Sequence, residues 1–322
     1  GRRVKLTFLE EPDLEFASGG RHIDPRHGLA DYGPADVSEP SARIVRAAIV
    51  GSREAIEGAQ AWLDKCRNPV AARGDTPLNH LYVPFPGFEF DRGFRASINW
   101  NTRLVRAIPR TELESVTSLN PLQSVQATVD LFDRELAALS DEPNCDVVIV
   151  CRPDGFQDTP VAALGATPGP ASGEPIDFRA LLKARSLRHK QPIQILRRST
   201  WDTDFVDPVD RPKKGRQDEA TRAWNLHTAL YYKNGGVPWR LPRDPSDLST
   251  GYVGISLYRS ADEAALQTSV AQVFNQRGDG VIVRGGQATV SKDDRQPHLD
   301  EESACELLMS ALEKYRLEHR TM

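Results

Sequence analysis

Short apolar runs and stripes of helical period alternate along this chain. Residues 43–50 (RIVRAAIV) form an apolar run that reads as a first buried strand. Ser52 then offers an N-cap, and Ala55, Ala59, Trp62 and Leu63 recur at helical spacing through about residue 67. Residues 121–139 (PLQSVQATVDLFDRELAAL) carry the clearest stripe. Pro121 suits a first turn, and Leu122, Val125, Val129, Phe132 and Leu136 line one face. Residues 146–151 read as the next buried strand. A helix is expected over residues 177–190, a strand over 193–196 (IQIL), and a helix over about 217–233 that stops at Gly235-Gly236. Strands and helices alternating in this way predict an α/β fold with a parallel, Rossmann-like sheet.

The segments between these elements are rich in turn formers. Residues 1–41 hold much Gly, Pro and charge and read as an extended entry segment. Residues 68–92 hold many Gly, Pro and Asn, with a short strand expected at 80–83; residues 153–175 and 202–216 read as loops. Residues 240–250 (RLPRDPSDLST) look like a linker, which places a domain boundary between 241 and 242. Beyond it, strands are expected at 252–258 (YVGISLY), 268–274 and 281–284. A helix over 300–319 would carry Ala304, Leu307, Leu308, Ala311, Leu312 and Tyr315 on its apolar face. Three strands and a helix read as the first part of a second α/β domain, and a chain that begins at Gly1 and stops at Met322 is expected to be a fragment.

Composition narrows the class without naming a function. Hydrophobic residues make up 39% and charged residues 27% of the 322, as in ordinary soluble domains. No apolar run approaches the ~18 residues of a membrane span, and no secretory leader opens the chain. The four cysteines, Cys66, Cys145, Cys151 and Cys305, form no CxxC pair and have no zinc spacing, which fits a reduced, cytoplasmic setting. A net charge of −4 argues against a surface coated in nucleic acid but leaves room for one local basic pocket.

Such a pocket is suggested by residues 179–198 (RALLKARSLRHKQPIQILRR), which hold seven Lys or Arg and no acid. Arg179 and Lys183 are four apart on a predicted helix and share a face, Gln194 lies on the next strand, and Lys233 closes the next helix. Singly, each is more commonly a solvated charge, a satisfied polar group or a helix-dipole partner. Together they resemble the 5′-phosphate pocket of Argonaute MID domains. That pattern runs from an aromatic or basic residue to a Lys four later, then a Gln and a Lys that ends the following helix before a GG-x-PW segment, here Gly235-Gly236-Val237-Pro238-Trp239. The resemblance implies that Arg179, Lys183, Gln194 and Lys233 bind the 5′-phosphate of a guide, and that Asn225 contacts its first nucleotide. It also implies Mg²⁺ at that phosphate, held by phosphate oxygens and a C-terminal carboxylate. The chemistry is consistent, since a terminal phosphate carries close to two charges and several acceptor oxygens. Two ammonium groups, an amide and a guanidinium fork can meet them.

Residues 9–16, 24–29 and 32–34 resemble the opening of short prokaryotic Argonautes, so the expected architecture is a MID domain followed by the first part of an RNase H-like PIWI domain. Active PIWI domains place a metal-binding Asp after a Gly-x pair on the first strand. Here Gly254-Ile255 is followed by Ser256, whose neutral hydroxyl cannot replace a carboxylate between two Mg²⁺ ions. Asp262 and Glu263 lie beyond the strand and off its register, and Asp279, Asp293 and Asp294 read as solvated charges in turns. The resemblance therefore implies a non-cleaving subunit that uses a 5′-phosphorylated guide, RNA by analogy, to recognise invading DNA. It would act beside an APAZ-containing effector bearing a TIR, sirtuin-like or nuclease domain. The alternative is a guide-directed endonuclease with displaced carboxylates. A generic dinucleotide binder has little support, because no GxGxxG follows a strand.

Overall fold

The computed structural model describes residues 8–37, 43–74, 81–154, 177–205, 217–242, 252–259, 266–274, 280–284, 288–290, 293 and 296–318. They form two compact units, one ending at Leu241 and the other continuing from Pro242. In chain order the first unit contains β1 (Leu14–Glu15), β2 (Arg21–His22), α1 (Pro25–Tyr32), β3 (Arg43–Gly51), α2 (Arg53–Lys65), β4 (Ala96–Asn99) and β5 (Val105–Ala107). It goes on through α3 (Arg110–Thr117), α4 (Pro121–Leu139), β6 (Val147–Cys151), α5 (Phe178–Ser186), β7 (Ile193–Leu196), α6 (Arg198–Trp201) and α7 (Glu219–Lys233).

The centre is a five-stranded sheet in the order β4-β3-β6-β7, with β5 also pairing β3, and every pairing is parallel. The parallel pairings explain the apolar run of β3: a sheet covered on both faces needs apolar side chains on both. Val45, Ala47 and Ile49 face a core shared with Ile56, Ala59, Trp62 and Leu63 of α2 and with Ala223, Trp224, Leu230 and Tyr231 of α7. Ala48 and Val50 face the other core, built from Val125, Val129, Phe132 and Leu136 of α4 and Phe178 and Leu182 of α5. The result is a three-layer α/β unit, as the alternating pattern predicts. It ends at β7, an edge strand whose Gln194 pairs with Ile149.

Several local expectations change. The entry segment is not extended throughout, because Asp24 accepts from the backbone N–H groups of Arg26 and His27 and starts α1 with Pro25 in its first turn. That Asp-Pro pair was the available signal. The strand expected at 80–83 is absent over its described residues, 81–83; the local pairing is a single antiparallel bridge between Val70 and Phe85. β4, β5 and α3 come from stretches too short or too polar to show a period. α5 stops at Ser186 instead of reaching 190, and beyond it Arg188 and His189 both turn to the Asp133 carboxylate. Leu122 of the α4 stripe is 40% exposed.

The second unit contains β8 (Tyr252–Arg259), β9 (Leu266–Phe274), β10 (Gly280–Arg284), β11 (Thr289–Val290), β12 (Pro297–His298) and α8 (Glu301–Glu318). β8, β9 and β10 form an antiparallel sheet, and β11 pairs with β12. Val283, Leu307 and Ala311 make a small core with Leu299 and Tyr315. Leu308 and Leu312, expected on the apolar face of α8, remain 40% and 41% exposed.

Candidate functional site

The basic constellation is assembled by the packing of α5, β7 and α7. Asp177 caps α5 by accepting from the Ala180 N–H at 2.6 Å, and Phe178, Leu182 and Ser186 turn inward. That inward face leaves Arg179 and Lys183, one turn apart, on the solvent side. On β7, Ile193 and Leu196 are buried, while Gln194 is half-buried. Lys233 closes α7, and its Nζ donates to Gln194 Oε1 at 2.8 Å. The Gln194 amide N–H₂ donates to the Ile195 carbonyl at 3.1 Å. Gln194 is thus oriented at both ends, and one amide hydrogen remains for a ligand.

Arg179 and Lys183 lie within electrostatic reach of Lys233. Burial, then the charges of Lys183 and Arg179, hold the Lys233 ammonium below the usual lysine range. Burial and Arg179 do the same to Lys183. The three cations therefore sit close enough to repel one another. Their neighbours are compensated: Arg185 meets Asp130, Arg188 and His189 meet Asp133, and Lys190 approaches Asp141 at 3.9 Å. Arg198 meets Glu54, Asp154 and Asp202. Among the described residues, no carboxylate pairs with Arg179, Lys183 or Lys233. The fold thus neutralises most of its basic stretch and leaves Arg179, Lys183 and Lys233 without a carboxylate among the described residues, an arrangement whose chemistry suits an anion.

Asn225, which the resemblance assigns to the first nucleotide and not to the phosphate, lies apart from these four on α7. It lies eight residues before Lys233 on α7, about 12 Å along the helix axis. Its exposed amide donates to Gln217 at 3.1 Å. The Mg²⁺ implied by the resemblance would be held by phosphate oxygens and a C-terminal carboxylate, not by a protein cage. Among the described residues no three His, Cys, Asp or Glu gather, and the cluster offers cations and an amide, a donor set that fits phosphate oxygens rather than a metal ion.

A second set of residues, invisible to motif reading, grips the same end of α7. The Asp36 carboxylate accepts from Arg43 Nη2 at 2.8 Å, the Tyr231 hydroxyl at 2.6 Å and the Val237 N–H at 3.0 Å. Arg43 Nη1 donates to the Asn234 carbonyl at 2.7 Å. Gly235 takes a φ of +72°, and a Cβ on Gly236 would lie 2.3 Å from the Tyr231 ring, which accounts for the double glycine. Residues up to 201 positions apart make these contacts, so no local signal could have revealed them.

In the second unit, Ser256 is exposed on β8, where the pairing with β9 shifts register between Ile255 and Leu257. Asp293 is exposed, while Asp262, Glu263, Asp279 and Asp294 lie outside the described residues. Cys66, Cys145 and Cys151 are buried and Cys305 is exposed. Burial pushes the Cys66 and Cys151 thiols up to about 12 and the Cys145 thiol up to about 11, so these three are unreactive at neutral pH.

A parallel three-layer unit followed by an antiparallel sheet with a helix is the arrangement of the MID-PIWI region, and the fold of this chain is Argonaute-like. The structure of Clostridium butyricum Argonaute bound to a guide DNA (5′ deoxycytidine) and a 19-mer target DNA matches with a TM-score of 0.50 and 13% identity. The match covers 97% of this chain and 34% of that one. Marinitoga piezophila Argonaute in complex with 5′ OH guide RNA gives a TM-score of 0.47 and 11% identity over 98% of this chain and 39% of its own. The chain thus spans between a third and two-fifths of the length of these proteins. At such identity the likeness concerns the fold. No protein-family profile and no curated protein matches the chain.

Proposed function

We propose that this chain holds the 5′-phosphorylated end of a guide nucleic acid in the cluster of Arg179, Lys183, Gln194 and Lys233. The observation that carries this reading is that Arg179, Lys183 and Lys233 act on one another electrostatically, that none has a carboxylate partner among the described residues, and that Lys233 bonds Gln194 at a sheet edge, in an Argonaute-like fold. A terminal phosphate monoester, near two negative charges, relieves the mutual repulsion; an internal diester with one charge does so less well. The two lysines supply ammonium donors from separate helices, and Lys233 can pivot from Gln194 Oε1 to a phosphate oxygen. Arg179 can bond phosphate or stack on the first base.

In this reading the guide is RNA, the target is DNA, and the chain is a short-Argonaute subunit that does not cut. Ser256 supports the last point, because in-line displacement needs clustered carboxylates to hold paired metals. The effector chemistry then belongs to an APAZ-containing partner with a TIR, sirtuin-like or nuclease domain, in a cytoplasmic defence against invading DNA. The direct test is binding of one oligonucleotide in 5′-phosphorylated and 5′-hydroxyl forms. The phosphorylated form should bind more tightly, and Lys183→Ala should erase most of that difference. Equal affinity of the wild-type chain for both forms would refute the reading. Co-purification with the product of the neighbouring reading frame tests the partner.

A further inference from the structure

We infer that Asp36 is a positioning residue for Lys233, so that the phosphate affinity proposed above depends on the segment before β3; this rests on the phosphate-binding reading of the cluster. Lys233 lies between Tyr231 and Asn234, and the grip on this last turn of α7 comes from outside the helix. The Asp36 carboxylate takes three donors: the Arg43 guanidinium, the Tyr231 hydroxyl and the Val237 N–H. Arg43 completes the clamp on the Asn234 carbonyl, one of the helix-terminal carbonyls left without an onward partner, and its guanidinium also sits 5.2 Å over the Tyr231 ring. The Asn234 side chain returns a bond to the Ile44 carbonyl.

The backbone repeats the connection. Ala35 donates to the Pro238 carbonyl and Asp36 to the Val237 carbonyl, at 3.1 and 3.3 Å. Two bonds between Glu15 and Arg240 at 2.7 and 3.1 Å extend this pairing. Tyr231 is fully buried and Asp36 partly so, which limits the access of water to the bond between them.

The consequence is geometric. Among the described residues the Lys233 ammonium bonds one side chain, Gln194, which a ligand must share or displace. Something else must keep the ammonium beside Lys183 and Arg179 against their repulsion, and the clamp does so by fixing the helix end that carries it.

The test compares Asp36→Asn and Tyr231→Phe with the wild-type chain. Tyr231→Phe keeps the buried ring and the Arg43–Asp36 pair and removes a single donor. Affinity is measured for a 5′-phosphorylated RNA oligonucleotide and its 5′-hydroxyl twin, and the Lys233 titration is read by NMR after ¹³C reductive methylation. Each variant should lose about five- to tenfold for the phosphorylated form, with the hydroxyl form changed less than about twofold. Lys233 should titrate closer to an ordinary lysine as it moves away from Lys183 and Arg179. If the wild-type chain prefers the phosphorylated form and Tyr231→Phe keeps both that preference and the Lys233 titration, the positioning role is overturned. Equal losses for both oligonucleotides overturn it too, since they mark a general loss of fold. A wild-type chain with no preference refutes the phosphate site itself, and the Lys233 titration then still reports on the clamp.

Discussion

Replacing Lys233 by Met separates binding from stability at this site. The substitution keeps an unbranched stem of similar length and removes the ammonium. In the folded chain that ammonium is disfavoured by burial and by Lys183 and Arg179, so its folded pKa lies below its unfolded value. For a lysine shifted this way, the charged form costs stability at every pH below the folded pKa, and the cost fades as the pH rises through it. At neutral pH, Lys233→Met therefore relieves a repulsion, and among the described residues the bond it removes is the one to half-buried Gln194, whose oxygen can turn to water. The unfolding midpoint in urea should stay the same or rise. Binding should move the other way. One charge-assisted hydrogen bond is worth about 1.5–3 kcal/mol, and at about 1.36 kcal/mol per decade its loss weakens a 5′-phosphorylated guide roughly 10- to 150-fold. The assay pairs fluorescence anisotropy on the two oligonucleotide forms with a urea titration of each chain. A Lys233→Met chain that loses stability yet keeps its phosphate preference would refute the reasoning, because Lys233 would then be a structural cation.

Stability should also fall in acid through His227. Its ring is fully buried between Phe85 and Phe88, Nδ1 lies 2.8 Å from the Ala223 carbonyl and Nε2 has no partner, so burial holds its pKa down to about 4. The unfolded chain takes up that proton near pH 6.5, so the contribution is complete above about 6.5 and is lost as the pH falls towards 4, by ~3 kcal/mol in all. The difference between wild-type and His227→Leu chains in urea midpoint from pH 7.5 to 4 measures it; parallel curves would show that His227 does not titrate there. With guide and complementary target, the purified chain should cut neither strand in Mg²⁺ or Mn²⁺. Guide-dependent cutting that disappears when Asp262 or Glu263 is mutated would reverse that expectation.

How much was legible in the sequence varies by element. The α4 stripe predicts a helix over 121–139, and α4 spans those residues, because nineteen positions of steady period and a Pro in the first turn leave few alternatives. β3, β6 and β7 are legible as apolar runs because a parallel sheet buried on both faces demands them. β4 and β5 are three or four residues long and depend on pairing with β3, which a local pattern cannot express. α1 was written in Asp24-Pro25, a signal masked by the polar composition around it.

The sequence by itself determined the inventory of the candidate site: a basic pair at helical spacing, a Gln on the following strand, and a Lys at a helix end before two glycines. It could not say which of seven basic residues stay unpaired, because Asp130, Asp133 and Asp141 come from a helix and turn some fifty residues upstream. Only the tertiary structure made that selection, by bringing α4 against α5 and neutralising the far side of the stretch. It likewise brought Asp36 to Tyr231. Helical period and capping act over a few residues and can be read locally. Charge compensation acts through space, and its outcome exists only once the chain has folded.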